Sequence, residues 1–220
     1  MVHEESALEK RLQQWCCNRF LLGVQQVLEV VLNMKTISRE EAIALYKQYN
    51  DSESLFRHAL SVEAVMRRFA VELHENPEFW AIVGILHDID YGLYPAEHLK
   101  HAPRMLEDAG ISSDVIHAVV SHGWGICSEV EPVHIMEKVL YTIDELTGLV
   151  TATALMRPSK SVMDLSVSSV KKKWKTKGFS AGVDRDLIAK GAILLNMELD
   201  KVIELTIDGM RSVAKEIGLG

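Results

Sequence analysis

Residues 81–92 read AIVGILHDIDYG, and this stretch decides the fold: an unbroken apolar run ends in two adjacent metal-capable side chains, His87 and Asp88. Just before it stand Asn76, a favoured helix cap, and Pro77, a favoured first helical residue, so a helix opens at 77 and runs to about 88. On it Trp80, Val83, Gly84 and His87 share one stripe, which turns His87 inward and lets a second helix approach closely at Gly84. Imidazole nitrogen and carboxylate oxygen side by side are natural ligands for a divalent ion. Taken alone, such a pair is more often capping or surface chemistry than a metal site, so the flanking helices must decide.

Upstream, Asp51 and Ser52 cap a helix reaching about His74, on which His58 shares a face with the apolar Val62, Val65 and Phe69. Downstream, Pro95 opens a helix that Gly110 ends, and Ser112 and Ser113 open another that closes at Gly123. Pro132 opens a long one to about Met156, with Asp144 on the stripe of Met136 and Leu140. An unpaired carboxylate on such a stripe is costly to bury, and a metal would compensate it. Each residue singly is read as a satisfied core group; four of them on three helices make a site the better reading.

The rest of the chain is also helical in pattern. Residues 5–35 are mostly apolar, Ser38-Arg39-Glu40-Glu41 is a capping box opening a helix to about Tyr49, and Asp184–Asn196 and Glu198–Ile217 read as closing helices. Strand-like alternation is nearly absent, so the fold is expected to be all-α. Three parts are expected within one globular unit: a helical segment over 1–49 packed on the core, a central domain over 50–156, and a helical extension over 157–220.

A formal charge of −7 argues against a general nucleic-acid or membrane surface, while leaving room for a local cationic pocket. Cys16, Cys17 and Cys127 form neither a disulfide framework nor a paired zinc motif. With an acidic rather than basic opening and no long apolar span, the expected location is cytoplasmic. Walker loops, G-x-S-x-G elbows and G-x-G-x-x-G turns are absent.

The ordered segments LFRHALSVEAVMRRFA (55–70), AIVGILHDIDYG (81–92) and VLYTIDELTGLV (139–150) resemble the HD superfamily of metal-dependent phosphohydrolases. The resemblance spans about residues 50–150 and implies a helical HD bundle, with added N- and C-terminal helices, in which His58, His87, Asp88 and Asp144 bind a first metal. From Ala152 onward the chain is similar to an HDIG-like group of predicted hydrolases. The segment HAPRMLEDAGISSDVIHAVVSHGWG (101–125) looks like the two-metal members, which implies His101 and His122 at a second ion, Asp88 bridging, and His98 as a near substitute for His101. One-metal members place an acidic catalytic residue near the loop instead, and Asp90 is the candidate; Asp90-Tyr91-Gly92 departs from the glycine common after His-Asp-Ile.

The expected cofactor is therefore one or two divalent ions, among manganese, iron, nickel, zinc and magnesium, and the expected catalytic residues are Asp88 and Asp90. The expected partner is a small phosphorylated substrate, by resemblance a nucleotide. Trp124, between Gly123 and Gly125, is a candidate to stack on a base, and Arg157 and Lys160, with the basic stretch Lys171–Lys177, are candidates to face phosphate. A solvated helix face with Trp174 turned inward is the plainer reading of that stretch. Two other functions stay open: a helical module that holds a metal or nucleotide without turnover, and a diiron oxygenase on the same fold. A homodimer through the apolar first 35 residues also stays open.

Overall fold

The computed structural model describes residues 37–176 and 178–220. Residues 1–36 and Lys177, with the expectations placed on them, lie outside the described residues. The apolar stripes become nine α-helices among the described residues: α1 (Arg39–Tyr49), α2 (Glu53–Glu72), α3 (Pro77–Leu86), α4 (Ala102–Asp108), α5 (Ser113–Ser121), α6 (Ile135–Leu155), α7 (Val167–Trp174), α8 (Arg185–Leu194) and α9 (Leu199–Ser212). No strand occurs among them; Trp124 and Ser128 form one isolated bridge. The all-α expectation holds.

Helix starts follow the capping chemistry. Ser38 Oγ accepts the Glu41 N–H while the Glu41 carboxylate accepts the Ser38 N–H. Ser52 Oγ accepts the Leu55 N–H, and Asn76 Oδ1 accepts those of Glu78 and Phe79. Each side chain takes up amide hydrogens that the first helical turn leaves unpaired. α6 begins later than Pro132 suggests. There His134 Nδ1 accepts the Met136 N–H, and the Glu137 carboxylate accepts the amides of Val133 and His134, so the cap is built at His134.

The continuous helix expected from Pro95 to Gly110 is broken. A 3₁₀ turn covers Pro95–Glu97, and α4 restarts only at Ala102. The cause lies at Asp90, whose Oδ2 accepts the N–H groups of His101 (3.2 Å) and Ala102 (3.1 Å) and so fixes a new helix start from a distant loop. Leu99, buried in the break, adopts φ 66°, a left-handed conformation that costs a non-glycine residue on the order of 1–3 kcal/mol. Burial of its side chain and the Asp90 cap offset that cost.

α2 is the axis of the core and packs against α3, α6 and α9, while α1 lies on α3 and α8 on α6. Two glycines set the spacing along it. A Cβ on Gly84 would stand 2.9 Å from Glu63 Cα, and one on Gly209 would stand 2.7 Å from Val65 Cα, so α3 and α9 both ride directly on the α2 backbone. Glu63, buried on α2, is held by the guanidiniums of Arg39 and Arg67, which ties α1 to the axis and leaves no uncompensated charge. The basic stretch is a helix face: Lys171 pairs with Asp200, Lys173 lies over the Phe179 ring, and Trp174 packs partly against the core. Residues 37–220 make up one compact unit.

Gly209→Ala is expected to lower unfolding stability by about 1–3 kcal/mol through overpacking at the α2 backbone. Ile193→Ala, at a side chain 79% exposed, is expected to change it by less than about 0.5 kcal/mol. Urea unfolding with a common slope measures both, and equal midpoints for Gly209→Ala and the wild type would refute this account of the packing.

Candidate metal centre

Four imidazoles and two carboxylates converge between α2, α3, α6 and the ends of α3 and α5. The apolar stripe of α2 delivers His58, the last turn of α3 runs into His87 and Asp88, α5 ends on His122, and Asp144 projects from the middle of α6. His98 enters from the break before α4. Asn50, at the end of α1, secures the loop that follows Asp88: its Nδ2 donates to the carbonyls of Tyr46 and Ile89, and its Oδ1 accepts the Gly92 N–H. A Cβ on Gly92 would collide with Asn50, so the contact that secures this loop requires a glycine there.

Each imidazole has one nitrogen anchored and the other aimed inward. The Nδ1–H of His87 donates to the Gly84 carbonyl (2.8 Å), that of His122 to the Val119 carbonyl, and that of His98 to Asp90 Oδ1 (2.9 Å). His58 Nδ1 lies 3.4 Å from the Thr147 hydroxyl, which donates to the Asp144 carbonyl. Anchoring Nδ1 fixes the tautomer and leaves Nε2 as the free ligand atom, the arrangement that orients histidines toward a metal.

The free atoms fall into two sets that share Asp88. His58 Nε2 lies 3.2 Å from His87 Nε2 and 2.9 Å from Asp144 Oδ1, and Asp88 Oδ2 is 3.3 Å from His87 Nε2. On the other side His98 Nε2 lies 3.3 Å from His122 Nε2, and Asp88 Oδ1 is 3.3 Å from His98 Nε2 and 3.7 Å from His122 Nε2. His58, His87 and Asp88 form one group that could hold a metal ion, and Asp88, His98 and His122 form a second.

The electrostatics call for a cation. Burial alone would disfavour a charged His87, but Asp88 and Asp144 hold its pKa well above the ordinary value, so a proton offsets the carboxylates. Burial would likewise raise Asp88 and Asp144, yet His87 and His58 hold both below the usual carboxylate range. Across the cluster, burial pushes His122 down to about 4, leaving it a neutral imidazole. Facing Nε2 lone pairs with carboxylates between them suit a divalent ion, and metal binding would compete with the proton on His87.

The structure therefore brings His58, His87, Asp88, His98, His122 and Asp144 together, and it does not bring His101. The i, i+3 face expected to join His98 and His101 is lost where the helix breaks at Leu99. His101 turns outward instead, stacked on Tyr94 and 3.2 Å from Glu97, while His98 takes the inner position. Asp90 is buried behind His98 rather than open to the cavity; burial would raise it, but His98 and backbone amides lower its pKa. Its place is that of an orienting group. Thr147 was legible only as the residue one turn after Asp144, and Asn50 gave no signal in the sequence.

Beside the cluster opens a cavity of about 430 Å³, walled by Leu55, Tyr91, Ile126, Tyr141, Glu145 and Leu187. Burial and the neighbouring Asp144 raise the Glu145 pKa, and its carboxylate accepts the Asp184 N–H. Trp124 stands outside this wall, under Lys190 at 3.5 Å and against Tyr141. Arg157 is paired with Asp164, and Lys160 is solvent-exposed; neither lines the cavity.

Residues 55–148 match the family model of the HD domain. This stretch, less than half of the chain, is similar to an HD domain. No curated protein and no solved structure matches the chain. The HD domain is a metal-dependent hydrolase-type fold, and here its histidines and aspartates form a buried group suited to a divalent metal. No helix among the described residues is long and apolar enough to cross a membrane.

His98→Ala is expected to lower metal content, whereas His101→Ala leaves it unchanged; plasma mass spectrometry of protein purified without chelator reads both. Asp90→Asn is expected to weaken retention of the ion nearest His98 by roughly 10–100-fold, the usual effect of removing the carboxylate that orients a histidine ligand. Equal metal content in the His98 and His101 variants would overturn the assignment of the inner position.

Proposed function

We propose that the protein is a metal-dependent phosphohydrolase that cleaves a phosphomonoester or phosphodiester, with nucleotides as the substrate class. The observation that carries this reading is the division of Asp88: one carboxylate oxygen faces His58 and His87, the other faces His98 and His122. A carboxylate so placed between two sets of imidazole nitrogens suits a bridge between two ions. His58, His87, Asp144 and Asp88 Oδ2 would hold one, and His98, His122 and Asp88 Oδ1 the other.

Divalent ions held there would supply an acidified water near neutral pH and would neutralise charge on phosphoryl oxygens. The chain's own residues do the rest. The Nδ1 anchors keep the imidazoles from turning, Asp90 holds His98 inward, and Leu55, Ile126 and Leu187 give the adjoining cavity an apolar wall. Imidazole-rich ligation with few carboxylates favours manganese, iron, nickel or zinc over calcium. By this reading Asp88 is catalytic and Asp90 acts through His98.

Metal-loaded wild type is expected to release phosphate from phosphomonoesters, to stop when stripped by a chelator, and to recover when a transition metal is restored. Asp88→Ala is expected to lose turnover and both ions together. Retention of metal with no phosphate release from any mono- or diester would instead favour a binding module, and oxygen consumption by the iron-loaded protein would point to an oxygenase.

A further inference from the structure

A second cavity, of about 460 Å³, adjoins the one beside the metal cluster, and both are lined by His58 and Gly148. They adjoin at these two residues as neighbouring lobes with different chemistry. The metal-side lobe has no lysine or arginine among its described lining residues and carries Glu145, so a phosphoryl group there depends on the bound ions for its countercharge. The second lobe presents the Arg57 guanidinium, the Glu53 carboxylate and the hydroxyls of Ser54 and Thr151 over an apolar floor that includes Ile217 and Leu219.

The second lobe is a built feature. Its far wall is the C-terminal turn, held by the Leu219 carbonyl, which accepts the Val162 N–H (2.9 Å) and the Ser161 hydroxyl (2.9 Å). Gly218, at φ 74°, leaves room for Arg57; a Cβ there would stand 2.9 Å from Arg57 Nη1. Arg57 Nε donates to Glu53 at 3.0 Å, which sets a guanidinium and a carboxylate side by side with further donors still open. Paired acidic and basic groups, hydroxyls and an apolar face match a neutral, hydroxyl-bearing ring, because each ring hydroxyl both donates and accepts.

We propose that this second lobe is the subsite for the uncharged, hydroxylated part of the substrate, so that the preferred substrate is a phosphomonoester of a sugar or nucleoside lying across His58 and Gly148. The proposal rests on the phosphohydrolase reading of the metal lobe. Gly148 lines both lobes, and a methyl group there would meet only Val183 Cγ2, at 3.8 Å, so Gly148→Ala adds bulk where the lobes adjoin without a clash.

The test is calorimetry on the manganese-loaded full chain, comparing the non-hydrolysable methylene phosphonate of ribose 5-phosphate with methylphosphonate. Wild type is expected to prefer the ribose compound by about tenfold or more, the size of one charge-assisted hydrogen bond. Arg57→Ala, Thr151→Val and Gly148→Ala are each expected to erase most of that preference, and Lys160→Ala to keep it. Equal affinities in wild type, no binding of the ribose compound, or a preference that survives all three substitutions would overturn the subsite. Phosphate release from ribose 5-phosphate is measured separately: preference without release sinks the hydrolase reading alone, and release without preference sinks the subsite alone.

Discussion

Three carboxylates, Asp88, Asp90 and Asp144, are placed where helices with largely apolar inward faces meet, and the site is organised around compensating their charge. Asp90 is compensated within the protein, by two backbone amides and His98. Among the described residues the ion-pair partners of Asp88 and Asp144 are imidazoles, and the two carboxylates hold the His87 pKa well above its ordinary value. A buried carboxylate without a partner would cost several kcal/mol, so the geometry of the cluster and the stability of the core around it are one problem. A divalent ion resolves it more fully than a proton does, because it can take several lone pairs at once.

The anchoring of the histidines shows how the fold meets that demand. His87 and His122 both follow the last turn of a helix, and in each the ring Nδ1–H returns to the carbonyl three residues earlier. Such carbonyls have lost their helical partners, so satisfying one also aims the opposite ring nitrogen away from the helix. The same local chemistry is thus used twice, on α3 and α5, to present ligand atoms from neighbouring helix ends. Asp90 links the two halves: it orients His98, starts α4, and holds open the break that lets His98 point inward.

The close approach of α3 and α9 to α2, made possible by Gly84 and Gly209, keeps His58 and His87 within reach of one another. Rigidity at this axis would serve a shared ion, since ligand atoms must then stay within about 0.5 Å of the productive geometry. The division of the adjoining cleft follows from the same frame. α6 supplies Asp144 and Glu145 to one lobe and Thr151 to the other, with Gly148 lining both, so a single helix borders a carboxylate-lined pocket and a hydroxyl-bearing one.

The sequence by itself determined the helical class, the capped starts of α1 to α3, the inward face of His58, His87 and Asp144, and the mutual nearness of the segments that bear them. These are legible because periodicity and capping act over one or two helical turns, within which the chain has few alternatives. Only the tertiary structure decided between His98 and His101, gave Asp90 its orienting place, moved the start of α6 to His134, and left Trp124, Arg157 and Lys160 outside the cavity wall. Each depends on a contact between residues distant in the chain, or on a cap or ion pair that competes with local helix propensity. Asp90 capping a helix eleven residues away is such a contact: it overrode the proline-started helix and exchanged the inner histidine.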